Sequence, residues 1–417
     1  MFDFANSGYT TVVLTAVFNA YFVSVVVNAN GSTGSSGTLY WTIAIAITNA
    51  LVLVSAPVLG AIADHRANKK RFLALTTTGC VTFTALLATI GPGDVWLAMV
   101  FVIVASFMFA TGENLIAAFL PEIAPQADMG RISGYGWSLG YLGGLLVLGA
   151  CLAYVTWAQA HGHSAPQYVP VTMLITASMF ALAVMPTFLW LPERAVASAR
   201  PIQQHYLSIG IARLRQTLQH ARDFRDLFRF LLSLGVYYCG IYTVIVLAAV
   251  YAREVMGFDT RDTLVLILVI NVTAAIGAFV FGHVQDRLGS RRTLAITLAI
   301  WMVALLLAYF TEGRAGFWLV GNLVGVALGS SQSAGRAMVG QFSPPARSAE
   351  FFGLWGLASK FAAIVGPLSY GGITYLSGGN HRLAILSTVA FFALGLVLLA
   401  TVDEKRGQAT ARAALKT

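Results

Sequence analysis

A chain of 417 residues that is 57% hydrophobic and only 10% charged, with a mean hydropathy of +0.74, is too apolar for a soluble protein, in which about 25% of residues are charged. The net charge of +9 sits in short loops between long apolar runs, so it reports membrane topology and excludes a nucleic-acid surface. No room remains between the runs for a large soluble domain.

A helix needs about 20 apolar residues to cross roughly 30 Å of hydrocarbon. Twelve such runs follow one another, near 4 to 28, 38 to 63, 72 to 90, 95 to 120, 132 to 159, 168 to 191, 230 to 252, 263 to 283, 293 to 311, 315 to 341, 351 to 375 and 382 to 402. The first begins at once after Met1, lacks a basic leader and is long enough to span, so it is expected to stay in the mature protein. The stretch Asn30-Gly-Ser-Thr-Gly-Ser-Ser-Gly37 reads as a short flexible external connection. Cys80, Cys151 and Cys239 are odd in number and lie inside apolar runs, which indicates neither a disulfide framework nor a zinc site. His161 and His163 lack a nearby carboxylate or thiol and make a poor metal site, so no metal and no cofactor is expected.

The polar segment 192 to 229 separates two sets of six runs. Within it Leu207, Ile211, Leu214, Leu218 and Ala221 recur at steps of four and three, while Arg213, Arg215, Arg222 and Arg225 point elsewhere, which predicts a basic amphipathic helix lying on the membrane surface. The expected organisation is an N-terminal bundle 1 to 191, this linker, a C-terminal bundle 230 to 402 and a polar tail 403 to 417. Taking the loops alternately, one side holds 20 Lys and Arg and the other only Arg253, Arg261, Arg314 and Arg382. The positive-inside rule then makes the basic side, with both termini, cytoplasmic.

The two halves carry a common elbow. After the eighth run the chain reads Gly282-His-Val-Gln-Asp286-Arg287-Leu-Gly289-Ser-Arg291-Arg292, and 222 positions earlier Gly60-Ala-Ile-Ala-Asp64-His-Arg66 ends the second run. A Gly lets a helix end pack closely, the Asp and Arg fall between spans, and Gly289 permits a tight turn. Gly134 to Gly144 opening the fifth run and Gly353 onward opening the eleventh extend the duplication. The elbow resembles the cytoplasmic signature of the major facilitator superfamily of secondary transporters, although His65 and Asn68 depart from it in the first copy. The resemblance implies an all-α membrane protein with twelve transmembrane helices in two pseudo-symmetric six-helix bundles, and no enzyme activity. Gly60, Asp64, Arg66, Gly282, Asp286, Arg287, Gly289 and Arg291 would then form the cytoplasmic gate, with Asp64 opposite the helix start near Phe351 and Asp286 opposite that near Ile132.

Three further stretches narrow the resemblance: Phe2-Asp-Phe-Ala-Asn-Ser-Gly-Tyr9; Phe119-Leu-Pro-Glu-Ile-Ala with Arg131-Ile-Ser-Gly-Tyr-Gly-Trp-Ser-Leu-Gly-Tyr-Leu-Gly-Gly144; and Ala349-Glu-Phe-Phe-Gly-Leu-Trp355 with Lys360 and Gly366-Pro367. Together they look like the branch containing the fungal vacuolar amino-acid effluxer associated with autophagy and its bacterial relatives, though Phe2 and Phe4 stand where that branch usually has Tyr and Trp. This implies export of small solutes, with amino acids as candidates. Compact loops favour a bacterial inner membrane.

An ionisable group inside a span is costly unless paired or wet, so such residues are functional candidates. Glu113, Arg336 and Asp3 are candidates for a coupling or charge network, and Lys360, deeper in the eleventh run, for binding an anionic group of the cargo. Asn6, Tyr9, Asn114, Trp137, Tyr141, Tyr238, Tyr242, Gln332 and Trp355, with Lys360, are candidates to line a cavity at the midplane of the repeats; Asn19 and Asn271 are weaker additions. The expected function is alternating-access transport of a small polar or zwitterionic metabolite by a monomer in the lipid bilayer, with protons as the candidate coupling ion. The competing reading is a lipophilic drug, siderophore or lipid-like cargo, which the intramembrane cations disfavour.

Overall fold

The computed structural model describes residues 1–28, 34–66, 68–193, 215, 219 and 222–414, and among them there is no strand. The helices are α1 (Phe2–Val26), α2 (Gly34–Arg66), α3 (Lys69–Leu86), α4 (Val95–Ala117), α5 (Met129–Ala160), α6 (Ala165–Trp190), α7 (Arg225–Glu254), α8 (Thr260–Leu288), α9 (Ser290–Phe310), α10 (Arg314–Phe342), α11 (Ser348–Leu376), α12 (His381–Ala400) and α13 (Glu404–Ala413). The first twelve coincide with the predicted runs. Eleven of them are long and apolar enough to cross a membrane. The exception is α10, whose segment Gly329-Ser-Ser-Gln-Ser-Ala-Gly-Arg336 lowers its hydropathy. It tolerates those residues because its second half is almost wholly buried among other helices.

α1 is not a regular helix. α-Helical turns Phe2–Tyr9 and Phe18–Tyr21 alternate with π-helical stretches Thr10–Ala16 and Phe22–Val26. The Thr15 hydroxyl donates to the Thr10 carbonyl at 3.0 Å and the Asn19 amide to that of Leu14 at 3.3 Å, five residues back in both cases. Polar side chains thus satisfy carbonyls along the wider turn; Asn19 serves its own backbone, as Asn271 does by donating to Ile267 O.

Two sequence expectations change at the ends of elements. Gly34 to Gly37, expected in a flexible connection, already belong to α2. Residues 404 to 413, expected in a tail, form α13. The amphipathic helix expected over 207 to 221 falls, apart from positions 215 and 219, outside the described residues.

By contact the chain divides into two compact units: unit 1 is Met1–Ser55, Asn68–Ile116 and Leu139–Glu193, and unit 2 is Ala56–Ala67, Ala117–Ser138 and Arg194–Thr417. This differs from the division by repeat, because the end of α2 and the α4–α5 connection pack with the C-terminal half.

In unit 1 the core is aromatic. Phe2 meets Phe180 edge-on at 6.2 Å, Tyr9 lies 5.1 Å from Phe109, and Trp41 packs on Phe18 and Phe22. Lys70 joins the start of α3 to the end of α6, its Nζ donating to Leu191 O at 2.8 Å and its N–H to Glu193 Oε1 at 3.4 Å.

In unit 2 close backbone approaches set the packing. A Cβ on Gly329 would fall on the Ala274 carbonyl, and one on Gly366 on the Cys239 carbonyl, so α8–α10 and α7–α11 cross at glycine width, as small residues allow in membrane bundles. Trp301 stacks on Phe392 at 5.0 Å while its Nε1 donates to Ser331 Oγ at 3.1 Å, which fixes α9 against α12 and α10.

Candidate functional site

The densest polar constellation lies in unit 2, at the end carrying the Asp-Arg elbows, here termed the basic end. Its origin is local. Gly60 and Gly353 let α2 and α11 touch: a Cβ on Gly60 would fall inside the Ala349 carbonyl, and one on Gly353 would come to 2.5 Å from Ala56 O. One turn beyond Gly60, on the same face, Asp64 meets the first turn of α11. Its Oδ1 accepts the Ala349 N–H at 3.1 Å and its Oδ2 that of Glu350 at 2.7 Å. Gly282 and Gly134 repeat this for α8 and α5. Asp286, one turn on, accepts Gly130 N–H at 2.8 Å and Arg131 N–H at 3.0 Å. Each carboxylate thus satisfies two N–H groups that a helix start leaves without intrahelical partners, and sits at the positive end of the dipole.

A third carboxylate does the same at α9. Gly289, with φ +87, turns the chain from α8 directly into α9, and Glu404 accepts Ser290 N–H at 2.8 Å and Arg291 N–H at 3.0 Å. Glu404 was absent from the sequence reading. Its signal was present: an acidic residue followed by a basic one closes both repeats, as Glu193-Arg194 and Glu404-Lys405, and Glu193 accepts the N–H of Lys70 just as Glu404 accepts those of α9.

Arg336 lies in α10 and is 7% exposed. Its Nε donates to Ser133 Oγ at 3.0 Å and its Nη2 to Ser133 O at 2.8 Å, while the guanidinium lies 5.5 Å from the Trp137 ring. Ser133 in turn donates to Ser333 O at 2.8 Å. Two of the predicted residues, Arg336 and Trp137, are therefore together, and Ser133, which the sequence did not single out, joins them.

A chain of amides continues from there. Gln285 donates to Ala334 O at 3.2 Å and to Ser290 Oγ at 2.8 Å, and Ser290 donates to Gln341 Oε1 at 2.7 Å. Beside it Arg347 grips Glu350 through Nε and Nη2, both at 3.2 Å, and rests on the rings of Phe224 and Phe351.

The other predicted residues of unit 2 occupy three helices. Tyr238 packs edge-on against Tyr237 at 5.2 Å and Tyr242 at 6.0 Å along α7. Gly335 faces the Tyr237 and Tyr238 hydroxyls, so α7 and α10 approach where Arg336 begins. Gln332 and Lys360 are half-buried, Trp355 is buried, and Lys360 stands about 18 Å along α11 from its start at 1.5 Å per residue. Arg287 and Arg291 are exposed, and the Arg66 side chain lies outside the described residues.

In unit 1, Phe2, Asn6 and Tyr9 share one face of α1. The Tyr9 hydroxyl, fully buried, lies 2.8 Å from Ser106 Oγ, so it is spent on α4. Asn6 Oδ1, Asn114 Nδ2 and Thr111 Oγ1 are buried without a hydrogen-bond partner among the described residues. Asp3 and Glu113 are half-buried, as is Tyr141 on α5. Gly140, Gly143 and Gly144 let α5 lie on α1 beside Asp3, Phe4 and Ser7.

Among the described residues, twelve long helices in a duplicated pattern, with matched carboxylates on helix starts, form the major facilitator fold. Solved structures agree: the proton:xylose symporter XylE superposes with a TM-score of 0.73 at 15% identity over 99% of this chain and 97% of that one, and the human organic anion transporter MFSD10 with 0.71 at 14% identity over 95% and 97%. The chain belongs to the family described as vacuole effluxer Atg22 like, whose model matches residues 20–130 and 125–412. It is 30% identical to an uncharacterized MFS-type transporter, YxiO, of Bacillus subtilis over 97% of this chain and 94% of that protein. Autophagy-related protein 22-1 of Penicillium rubens is 24% identical over 67% of this chain, a match that spans half of that protein.

Proposed function

We propose that this transporter exports a small polar or zwitterionic metabolite, amino acids among the candidates, from the cytoplasm by alternating access in a bacterial inner membrane. The observation that carries the reading is the pairing of Asp64 with α11 and Asp286 with α5: two reciprocal caps hold the basic end shut. The concentration of Lys and Arg in the loops at that end supports a cytoplasmic orientation for it. In this reading the Gly60 and Gly282 crossings are the contacts that part when the basic end opens.

The buried polar atoms of Asn6, Thr111 and Asn114 support a polar cargo, since such groups are costly in a span without a partner. In this reading Lys360 receives the carboxylate of the cargo and Glu113 carries the coupling proton. Arg336, held by Ser133 and Trp137, serves closure of the basic end instead of cargo recognition. Efflux from proteoliposomes loaded with a metabolite panel, with and without an imposed proton gradient, tests the reading. The expected result is gradient-dependent efflux of amino-acid-like solutes that Lys360→Ala weakens far more than Lys360→Arg. Efflux confined to lipophilic compounds, or an unchanged substrate affinity in Lys360→Ala, overturns it.

A further inference from the structure

The helix α13 is anchored at one end and reaches at the other. Asp226, at the start of α7, accepts the Asp403 N–H at 3.0 Å and takes Arg406 in a two-point pair, Nε at 2.5 Å and Nη2 at 2.7 Å. That hydrogen bond raises the Arg406 pKa above the usual guanidinium value. Glu404 caps α9 from the same turn. Glu404, Gly407, Gln408 and Ala411 then form one face at steps of three, one and three. Gly407 lies so close to the Phe342 ring that a Cβ would come to 2.7 Å, and Gln408 donates to Gln341 Oε1 at 3.3 Å. All these partners belong to α7, α9 and α10.

The last turn is different. Arg412 donates from Nε to Gln126 Oε1 at 2.5 Å, and Gln126 exchanges amide hydrogen bonds with Gln341, at 3.3 Å to its carbonyl and 3.5 Å back. Gln126 opens the 3-10 turn Gln126–Asp128 that leads into α5, four residues before the first of the two α5 N–H groups held by Asp286. In the duplicated chain this turn comes from the first repeat, whereas every anchor of α13 comes from the second.

We infer that α13 is a strap across the basic end: its first turn is fixed to the second repeat, and its last turn grips the α4–α5 connection of the first through Arg412 and Gln126. The inference rests on the alternating-access reading, under which the Asp286 cap and the Gln126 contacts break together when that end opens. The strap biases the equilibrium toward closure without touching cargo, so its loss shifts conformational populations and transport rate while leaving substrate affinity on the open side unchanged.

The test uses the full chain in nanodiscs with spin labels on Ala127→Cys and Arg292→Cys, two exposed positions on either side of the contact, read by pulsed dipolar spectroscopy. Removing one hydrogen bond to a partly exposed charge should raise the long-distance population about three- to tenfold in Arg412→Ala. Gln126→Ala should do the same, and the double change should add little, since both remove one interaction. A chain ending at Asp403 should shift the population at least as far. Additive effects of the two point changes, or unchanged distances in all three variants while Asp286→Asn lengthens them, overturn the strap and leave the transport reading standing. Unchanged distances in Asp286→Asn as well overturn the alternating-access reading, and the strap with it.

Discussion

Arg336 holds Ser133 at two points, from Nε to the hydroxyl and from Nη2 to the carbonyl, with its guanidinium over Trp137 one turn further along α5. A planar fork with fixed donors makes this contact, and a lysine cannot reproduce it. Arg336→Lys should therefore lower the thermal unfolding midpoint of the purified protein, at a cost of about 1–3 kcal/mol for the buried acceptors left without donors. Ser133→Ala in the Arg336→Lys background should add less than it does in the wild type. Full additivity in that cycle would show that the two side chains do not act as a pair.

The Asp64 and Asp286 caps should respond to loss of charge more than of shape. Asp→Asn keeps one acceptor but removes the interaction with the helix dipole, worth about 0.5–2 kcal/mol in partly buried settings. Asp64, at 5% exposure, is the better shielded of the two, so Asp64→Asn should open the basic end more than Asp286→Asn, as read by dipolar distances across that end. Equal shifts would mean that burial does not set the strength of the caps, and negligible shifts in both would overturn the alternating-access reading, as in the strap test.

Glycine width should matter at the crossings and not where a glycine faces open space. Gly60→Ala and Gly282→Ala each push a methyl into a facing backbone, at about 1–3 kcal/mol. Gly149→Ala and Gly371→Ala meet open space, and should leave the midpoint unchanged or raise it slightly through better helix propensity. Differential scanning fluorimetry on the four variants separates the cases, and equal midpoints would refute close packing as the reason for these glycines.

Glu113→Gln should abolish gradient-driven transport while preserving substrate exchange at equal concentrations on both sides, because the amide mimics the protonated carboxyl. Counterflow and gradient assays on one preparation distinguish the two. Full gradient-driven transport in the variant removes Glu113 from the coupling role.

The twelve spans were legible because bilayer thickness dictates length and apolarity, and the elbows because Gly-x-x-x-Asp recurs at 222-residue spacing. The helix starts that receive Asp64 and Asp286 were legible only through the resemblance to the superfamily, which places them opposite the elbows, with the attraction of a carboxylate to a helix dipole as the physical reason for the contact. Partners fixed only by packing were not. Ser133 is an ordinary serine until Arg336 arrives from 203 residues away, and Tyr237 hides beside the more conspicuous Tyr238. α13 read as a tail because it is polar and contains Gly407; Asp403 is a local N-cap that accepts the Arg406 N–H, but the Asp226 pair that anchors so short a helix is tertiary, and no local propensity reveals it.

The polarity of α10 bears on how the protein enters its membrane. A segment carrying Ser330, Ser331, Gln332, Ser333 and Arg336 in its second half gains too little from lipid to partition alone at the translocon, yet it ends up in the bundle beside α8 and α9. Insertion is therefore expected to be collective, with α9 retained at the lateral exit until α10 emerges and docks Ser331 against Trp301 and Gly325 and Gly329 against α8. A truncated nascent chain ending after α10 but lacking α8 and α9 should slip through to the far side, where the full-length chain holds the same segment across the bilayer.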